Sequence, residues 1–380
     1  MVDRVKVVQL ITTMADGGAE TLVKDYALLC DKEKVDMRIV TWSEPLGSAN
    51  ERVLKEANIP VLFLGEENAK HPTSNPFIKL YRRLNKFKCF KSLIINEQID
   101  VIHVHLRFGR YLKALPDRVL KNVNLIYTLH NEPAKYFDPN GDKKQRFEYE
   151  EAKRLIDKFG LTIITLHDEM NKQIRALFNT NRVITVNNGI DFSRFDSKLY
   201  DRDLIRASLG IDKDVKVIGH VGSYTNQKNH EFILRVFSEY LKLNPNAKLM
   251  LIGKGVLKSQ INDKILEMNL GENIISLENR SDIPQLMSAM DVFVLPSRWE
   301  GFPVVMIEAQ KIGLPCVISD RINKEVVLSD RVAMLDIEGD INAWIDAIDG
   351  KCEYMPVSGS FEDYDIHRSI DSLQRIYCGK

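Results

Sequence analysis

Two carboxylates eight positions apart, Glu300 and Glu308, flank the run Gly301-Phe302-Pro303-Val304. Before them lies the apolar segment 292–295, which reads as a strand buried on both faces. Pro303 suits the first position of a following helix, where a missing N–H costs nothing. Free N–H groups at such a helix start suit a phosphate. A carboxylate beside an anion is repulsive unless it faces sugar hydroxyls. The spacing therefore describes a nucleotide-sugar pocket. Other side chains with chemical potential sit at further strand ends: Lys228 after 215–221, His130 after 124–129, and the pair Gly17-Gly18 after 5–11.

The elements that must position these residues are legible from alternation. Short apolar runs at 5–11, 36–41, 60–64, 100–105, 124–129, 161–165 and 183–186 read as strands. After a polar stretch they resume at 215–221, 247–252, 273–277, 291–295 and 315–319. Helical patterns at 19–30, 77–97, 145–159, 229–242, 257–268 and 361–377 fill most gaps. Strand–helix alternation implies parallel sheets with right-handed crossovers, hence α/β domains of the doubly wound kind. At 380 residues the chain exceeds one ordinary core. The boundary is expected near residue 190, giving domains 1–190 and 191–360, with 361–380 as a terminal helix. In such a protein ligands sit at the carboxyl ends of strands, facing the cleft between lobes.

The motifs, in order, are Gly17-Gly18-Ala19-Glu20, Asp100 to His105, Thr128-Leu-His130, Asn187 to Asp191, Gly219 to His230, Arg280-Ser-Asp-Ile-Pro and Glu300 to Glu308. Together they resemble the retaining glycosyltransferases of family 4, which have the GT-B fold, and especially enzymes of capsular and exopolysaccharide assembly. The resemblance spans nearly the whole chain. It implies two Rossmann-like domains facing a central cleft, the first on the acceptor side, the second binding the nucleotide-sugar. It also implies that the terminal helix crosses back onto the first domain.

The same resemblance implies residue roles. Glu308 takes the ribose hydroxyls of the donor, a carboxylate being able to accept twice from a vicinal diol. Glu300 lies close to the transferred sugar and can stabilise charge developing at the anomeric carbon. Lys228 neutralises the diphosphate as the sugar leaves. The backbone of Gly301, Phe302, Pro303 and Val304 supplies diphosphate contacts, and Gly17-Gly18 forms a turn beneath that group. His130 touches the donor sugar, and Arg280 lines the base pocket, where a guanidinium can stack. The family usually carries an arginine where this chain has Ser223, and Arg298 is the candidate to replace that charge. His103 and His105 share one strand face, which His130 need not join. Both read as buried, hydrogen-bonded histidines outside the chemistry.

The remaining features bound partners and cofactors. Formal net charge is zero, which speaks against nucleic acid. The halves differ: residues 1–190 carry 30 Lys/Arg against 24 Asp/Glu, residues 191–380 carry 23 against 29. A basic first half suits an anionic acceptor or surface. The stretch 77–93 holds six cations (Lys79, Arg82, Arg83, Lys86, Lys88, Lys91) and no acid. Leu80, Leu84, Phe87 and Ile94 repeat beneath them at helical spacing. One reading is a helix packed on the first sheet with a solvated basic face; the other is contact with anionic lipid or a lipid-diphosphate acceptor. Five cysteines without metal spacing read as reduced thiols. No apolar run approaches the ~18 residues that span a bilayer. A cytoplasmic protein, at most peripheral on the membrane, is expected. Asp201-Arg-Asp203 and Asp212-Lys-Asp214 do not follow apolar strands, so neither metal nor other cofactor is expected. In Gly253-Lys-Gly255, Lys258 replaces the third glycine of a dinucleotide fingerprint. The polar stretch 131–146 reads as a mobile acceptor-shaping loop.

The expected activity is transfer of a hexose-type sugar from a nucleotide diphosphate, UDP foremost, to a glycan or glycolipid, with retained anomeric configuration. The competing readings are a nucleotide-binding partner subunit with little activity, supported by Ser223, and a dinucleotide-dependent oxidoreductase, supported by strand alternation alone.

Overall fold

The computed structural model describes residues 4–66, 70–71, 73–106, 109–278 and 280–379. Contacts divide the chain into two compact units, Met1–Gly189 with Ile366–Lys380, and Ile190–Asp365.

In the first unit the described strands are β1 (Val5–Ile11), β2 (Val35–Thr41), β3 (Val61–Phe63), β4 (Val101–His105), β5 (Asn124–Thr128), β6 (Thr162–Thr165) and β7 (Val183–Thr185). They form one parallel sheet in the order β3-β2-β1-β4-β5-β6-β7. The second unit contains β8 (Val217–Val221), β9 (Lys248–Ile252), β10 (Ile274–Leu277), β11 (Val292–Leu295), β12 (Cys316–Ser319) and β13 (Val332–Leu335). Its sheet is parallel as well, in the order β10-β9-β8-β11-β12-β13. In each sheet the order reverses beside the first strand, between β1 and β4 and between β8 and β11. Doubly wound sheets bind ligands at the carboxyl end of that reversal.

Six helices carry or flank the residues of interest: α1 (Gly18–Leu29), α2 (Pro76–Asn96), α3 (Lys143–Phe159), α4 (His230–Leu243), α5 (Val304–Lys311) and α6 (Ile366–Tyr377). Burial explains why the strands lack polar alternation: all four residues of β11 are at most 1% exposed. Each such side chain contributes roughly 1.5–3 kcal/mol when taken from water. β1 carries one exception in its interior, the fully buried Gln9. Helix α6 belongs to the first unit although it ends the chain. Its Ile366, Ile370, Leu373 and Tyr377 recur at helical spacing and join the core cluster that holds Leu22, Tyr26 and Cys30. Gln374 accepts from the Asp31 backbone N–H at 2.7 Å.

The structure corrects several expectations. Pro303 caps α5 rather than opening it, with ψ of 93°, and Val304 takes the first helical position. Strand β13 and the helices Asp168–Phe178 and Ile341–Ile348 add to the elements expected from alternation. The stretch 131–146 is not a plain loop: Pro133–Tyr136 is helical, Phe137 is buried, and Asp142 with Gln145 forms a capping box for α3. In α2 only Phe90 and Ile94 are buried; Leu80 and Leu84, expected beneath the cations, are 54% and 59% exposed.

Candidate functional site

The loop after β8 is Gly222–Thr225; a 3₁₀ turn, Asn226–Lys228, leads through Asn229 into α4. The loop after β11 runs from Pro296 to Pro303 and feeds α5. Since β8 and β11 are neighbours, the two loops leave the sheet side by side. Asn229 ties them. Its φ of 55° is left-handed, a conformation asparagine tolerates, and its amide donates to the Pro296 carbonyl at 3.2 Å. Its side-chain oxygen accepts from Arg298 Nη2 at 2.9 Å, while the Arg298 backbone N–H donates to the Gln227 carbonyl at 2.8 Å.

Glu300 is the focus of this junction and is buried. Lys228 Nζ lies 2.6 Å from its Oε1, Ser297 Oγ donates to the same oxygen at 2.5 Å, and Gln227 Nε2 donates to Oε2 at 2.9 Å. Three donors, one of them cationic, fix the carboxylate's position. Sequence reasoning found Lys228, Arg298 and Glu300 but gave no role to Ser297, Gln227 or Asn229, although Gln227 and Asn229 lie within the motif Gly219 to His230. The Nε of Arg298 is buried and without a partner among the described residues. Ser223 is exposed and brings no charge.

Gly301, Phe302 and Pro303 are buried, and Phe302 stacks on Tyr364 with ring centroids 5.0 Å apart. That side chain anchors the loop, leaving the backbone as what the site could use. Val304 and Glu308 lie on α5 and are half-buried. Arg280 forks onto Asp282, with Nε donating to Oδ1 at 2.7 Å, so its guanidinium is engaged locally rather than with the Lys228–Glu300 group.

The glycines 253 and 255 have a packing role. A Cβ on Gly253, at φ +154°, would stand 2.1 Å from the Gly222 carbonyl oxygen; one on Gly255 would meet Tyr224 backbone atoms at 2.6 Å. The loops after β8 and β9 thus lie backbone on backbone, which only glycine permits. Lys258 lies with Nζ 4.4 Å from the Tyr224 ring centroid. Two of the four aspartates weighed for metal are also engaged: Asp201 caps the helix Arg202–Ser208, and Asp203 pairs with Lys213. Among the described residues no three His, Cys, Asp or Glu side chains group as metal ligands.

Two further histidines lie beneath the loop after β8. His220 Nδ1 donates to the Val294 carbonyl at 2.9 Å, and His230 stacks on Tyr224 at 4.1 Å. Burial pushes them down from 6.5, to about 4 and about 2 respectively.

In the first unit Gly17 caps α1 and Gly18 begins it. A Cβ on Gly17 would strike the Glu20 carboxylate at 2.5 Å, whereas one on Gly18 would meet nothing within 4 Å. His130, whose place the sequence left open, does meet His105: its Nε2 is 2.9 Å from His105 Nδ1. Burial lowers His130 to about 4, His103 to about 3, and His105 well below 6.5.

Comparison with known proteins identifies what these elements belong to. Residues 16–194 match the family described as Glycosyltransferase Family 4, and residues 201–350 match Glycosyl transferases group 1. The chain belongs to this glycosyltransferase family and is an enzyme of the transferase class with the GT-B fold. It is 28% identical to EpsF of Bacillus subtilis (strain 168), a glycosyltransferase by name, over 98% of this chain and 96% of EpsF. It is 27% identical to the UDP-Gal:alpha-D-GlcNAc-diphosphoundecaprenol alpha-1,3-galactosyltransferase of Escherichia coli, over 78% of this chain and 81% of that one. Anabaena Alr3699/HepE, solved with UDP and glucose, superposes with a TM-score of 0.72 at 16% identity, covering 99% of this chain and all of that one. The oxidoreductase reading falls with this assignment.

Proposed function

We propose that the protein is a retaining glycosyltransferase that moves a hexose-type sugar from a UDP-sugar to a lipid-linked saccharide in surface polysaccharide synthesis, without a metal ion. The observation that carries this reading is the Lys228–Glu300 pair at the order reversal of the second sheet, beside the start of α5. A cation and unpaired helix-start N–H groups suit a diphosphate; the adjacent fixed carboxylate suits a sugar hydroxyl or developing positive charge. Glu308, one turn further, suits the ribose diol. The backbone from Gly301 to Val304, and Gly17-Gly18, are assigned to the diphosphate, His130 to the transferred sugar, and Arg280 to the base. Support for UDP comes from the Escherichia coli relative, named for UDP-Gal, and from the HepE structure, which holds UDP and glucose.

The acceptor side of the proposal rests on α2. Lys79, Arg82, Arg83, Lys86 and Arg110 line a cavity of about 550 Å³ together with Trp42, and no carboxylate among the described residues lines it. Lys86 Nζ donates to the Trp42 carbonyl at 2.9 Å, and burial lowers its pKa. Beside the cavity Phe77, Leu80, Tyr81 and Leu84 are exposed. Cations next to uncovered apolar side chains suit a headgroup–acyl boundary. No described helix is long and apolar enough to cross a membrane. We place the enzyme peripherally on the cytoplasmic face.

The test is transfer from UDP-hexoses to a polyprenyl-diphosphate saccharide by the purified chain, with and without EDTA, and NMR of the new linkage. An α-linked product formed in EDTA supports the proposal. Inversion or an absolute metal requirement defeats it. UDP binding without any donor turnover would favour a partner subunit.

A further inference from the structure

A chain of hydrogen bonds runs through the first unit from Thr128 to His130. His103 Nε2 is 2.7 Å from Thr128 Oγ1, and its Nδ1 is 2.7 Å from the Tyr377 hydroxyl. The Gln9 amide nitrogen donates to that hydroxyl at 2.8 Å and also faces Met37 Sδ at 3.7 Å. The Gln9 carbonyl oxygen is 2.7 Å from His105 Nε2, and His105 Nδ1 is 2.9 Å from His130 Nε2. Gln9, His103 and His105 are fully buried.

Proton bookkeeping fixes the members from Gln9 to His130. An amide oxygen only accepts, so His105 Nε2 carries the hydrogen. A neutral imidazole has one N–H, which leaves His105 Nδ1 an acceptor. His130 Nε2 must then be the donor, and the His130 Nδ1 lone pair is left over. That nitrogen has no hydrogen-bond partner among the described residues, and the His130 ring is half-buried. Rotating the Gln9 amide by half a turn would reverse each bond and turn the free end of His130 from acceptor into donor. The Met37 sulfur, which can only accept, favours the orientation present.

We propose that Gln9 and His105 are positioning residues that hold His130 as the Nε2–H tautomer, with Nδ1 offered as an acceptor to a hydroxyl of the transferred sugar. This rests on the reading that His130 touches that sugar. Among the described residues the titratable groups facing the relay are His103, His130, Tyr377, Tyr26 and Cys30, and neither a carboxylate nor a cation of those residues acts on the three imidazoles.

Gln9→Glu tests it. A carboxylate beside His105 favours its doubly protonated form, whose Nδ1–H then donates to His130 and moves the His130 hydrogen to Nδ1. Nitrogen NMR of labelled histidine reads the tautomers, and UDP titration and transfer kinetics follow. In the native protein His130 is expected as Nε2–H from pH 6 to 8. In Gln9→Glu it is expected as Nδ1–H below a new pKa, where kcat/KM falls roughly tenfold. Met37→Leu, which removes the acceptor that orients the amide, should give both tautomers and an intermediate rate; it serves if Gln9→Glu does not fold. An Nδ1–H tautomer in the native protein, or a tautomer that neither substitution moves, overturns the relay. A switched tautomer with unchanged transfer overturns the positioning role and shows that His130 does not touch the sugar.

Discussion

Lys228 and Glu300 sit on loops leaving adjacent parallel strands, with Nζ and Oε1 2.6 Å apart and both side chains mostly out of water. The lysine proposed to hold a diphosphate is thus already occupied by a carboxylate, so donor binding must loosen or share that pair. Glu300→Gln removes the competing anion. It should leave UDP affinity unchanged or up to about tenfold tighter while lowering kcat by roughly a hundredfold or more. Lys228→Ala should weaken UDP by roughly 10–100-fold. Calorimetry with UDP and single-turnover transfer separate the two effects. Weaker UDP binding by Glu300→Gln would refute the competition.

Arg298 reaches Asn229, the residue after Lys228, and is the proposed stand-in for the charge that Ser223 lacks. Arg298→Ala should weaken UDP by about tenfold, and Ser223→Arg in that background should restore it. Unaltered affinity in Arg298→Ala would leave this loop with Lys228 as its working cation.

The buried histidines make stability depend on pH. In the unfolded chain each titrates near 6.5, whereas folding lowers His103 to about 3, His130 and His220 to about 4 and His230 to about 2. As pH falls through 6.5 the unfolded chain binds protons that the folded chain refuses. Stability is therefore full above about pH 7 and is lost progressively toward pH 4. Each group contributes a slope of up to about 1.4 kcal/mol per pH unit in that window. Denaturant titrations at pH 7.5, 6 and 5 should show the midpoint dropping at each step. A constant midpoint would mean that the imidazoles are solvated.

Helix α2 should bind vesicles. Flotation with anionic lipid is expected, with neutral vesicles left behind, and binding should fade as salt rises. Replacing Lys79, Arg82 and Arg83 by alanine removes about 1 kcal/mol each near such a surface. Replacing Phe77 and Tyr81 by serine should abolish flotation with the cations intact. Indifference to lipid charge would argue for a soluble acceptor in the cavity beside Trp42.

Sheet composition is the most legible part of this chain, because parallel strands buried on both faces appear as uninterrupted apolar runs. Strand β13 escapes because Val332-Ala-Met-Leu335 is four residues long with two of them half-buried, and such a run does not differ from a helical turn. The packing of α2 is illegible for a related reason. Periodicity shows that Leu80 and Leu84 share a face with Phe87 but not whether anything covers it. At the candidate site, charged residues are found by spacing, while the uncharged groups holding them are not. Gln9 does leave a trace: a polar residue inside Val-Lys-Val-Val-Gln-Leu-Ile is costly unless bonded, and that anomaly points to a network.

The hydroxyl that meets the Gln9 amide arrives 368 residues later in the chain. During synthesis the first unit cannot close its core until the ribosome has released the segment containing Tyr377, while the intervening unit, Ile190–Asp365, is already complete. The later half thus has the opportunity to mature before the earlier one. A nascent polypeptide halted before Ile366 would leave Leu22, Tyr26 and Cys30 without the cover of Ile366, Ile370, Leu373 and Tyr377, open to chaperones.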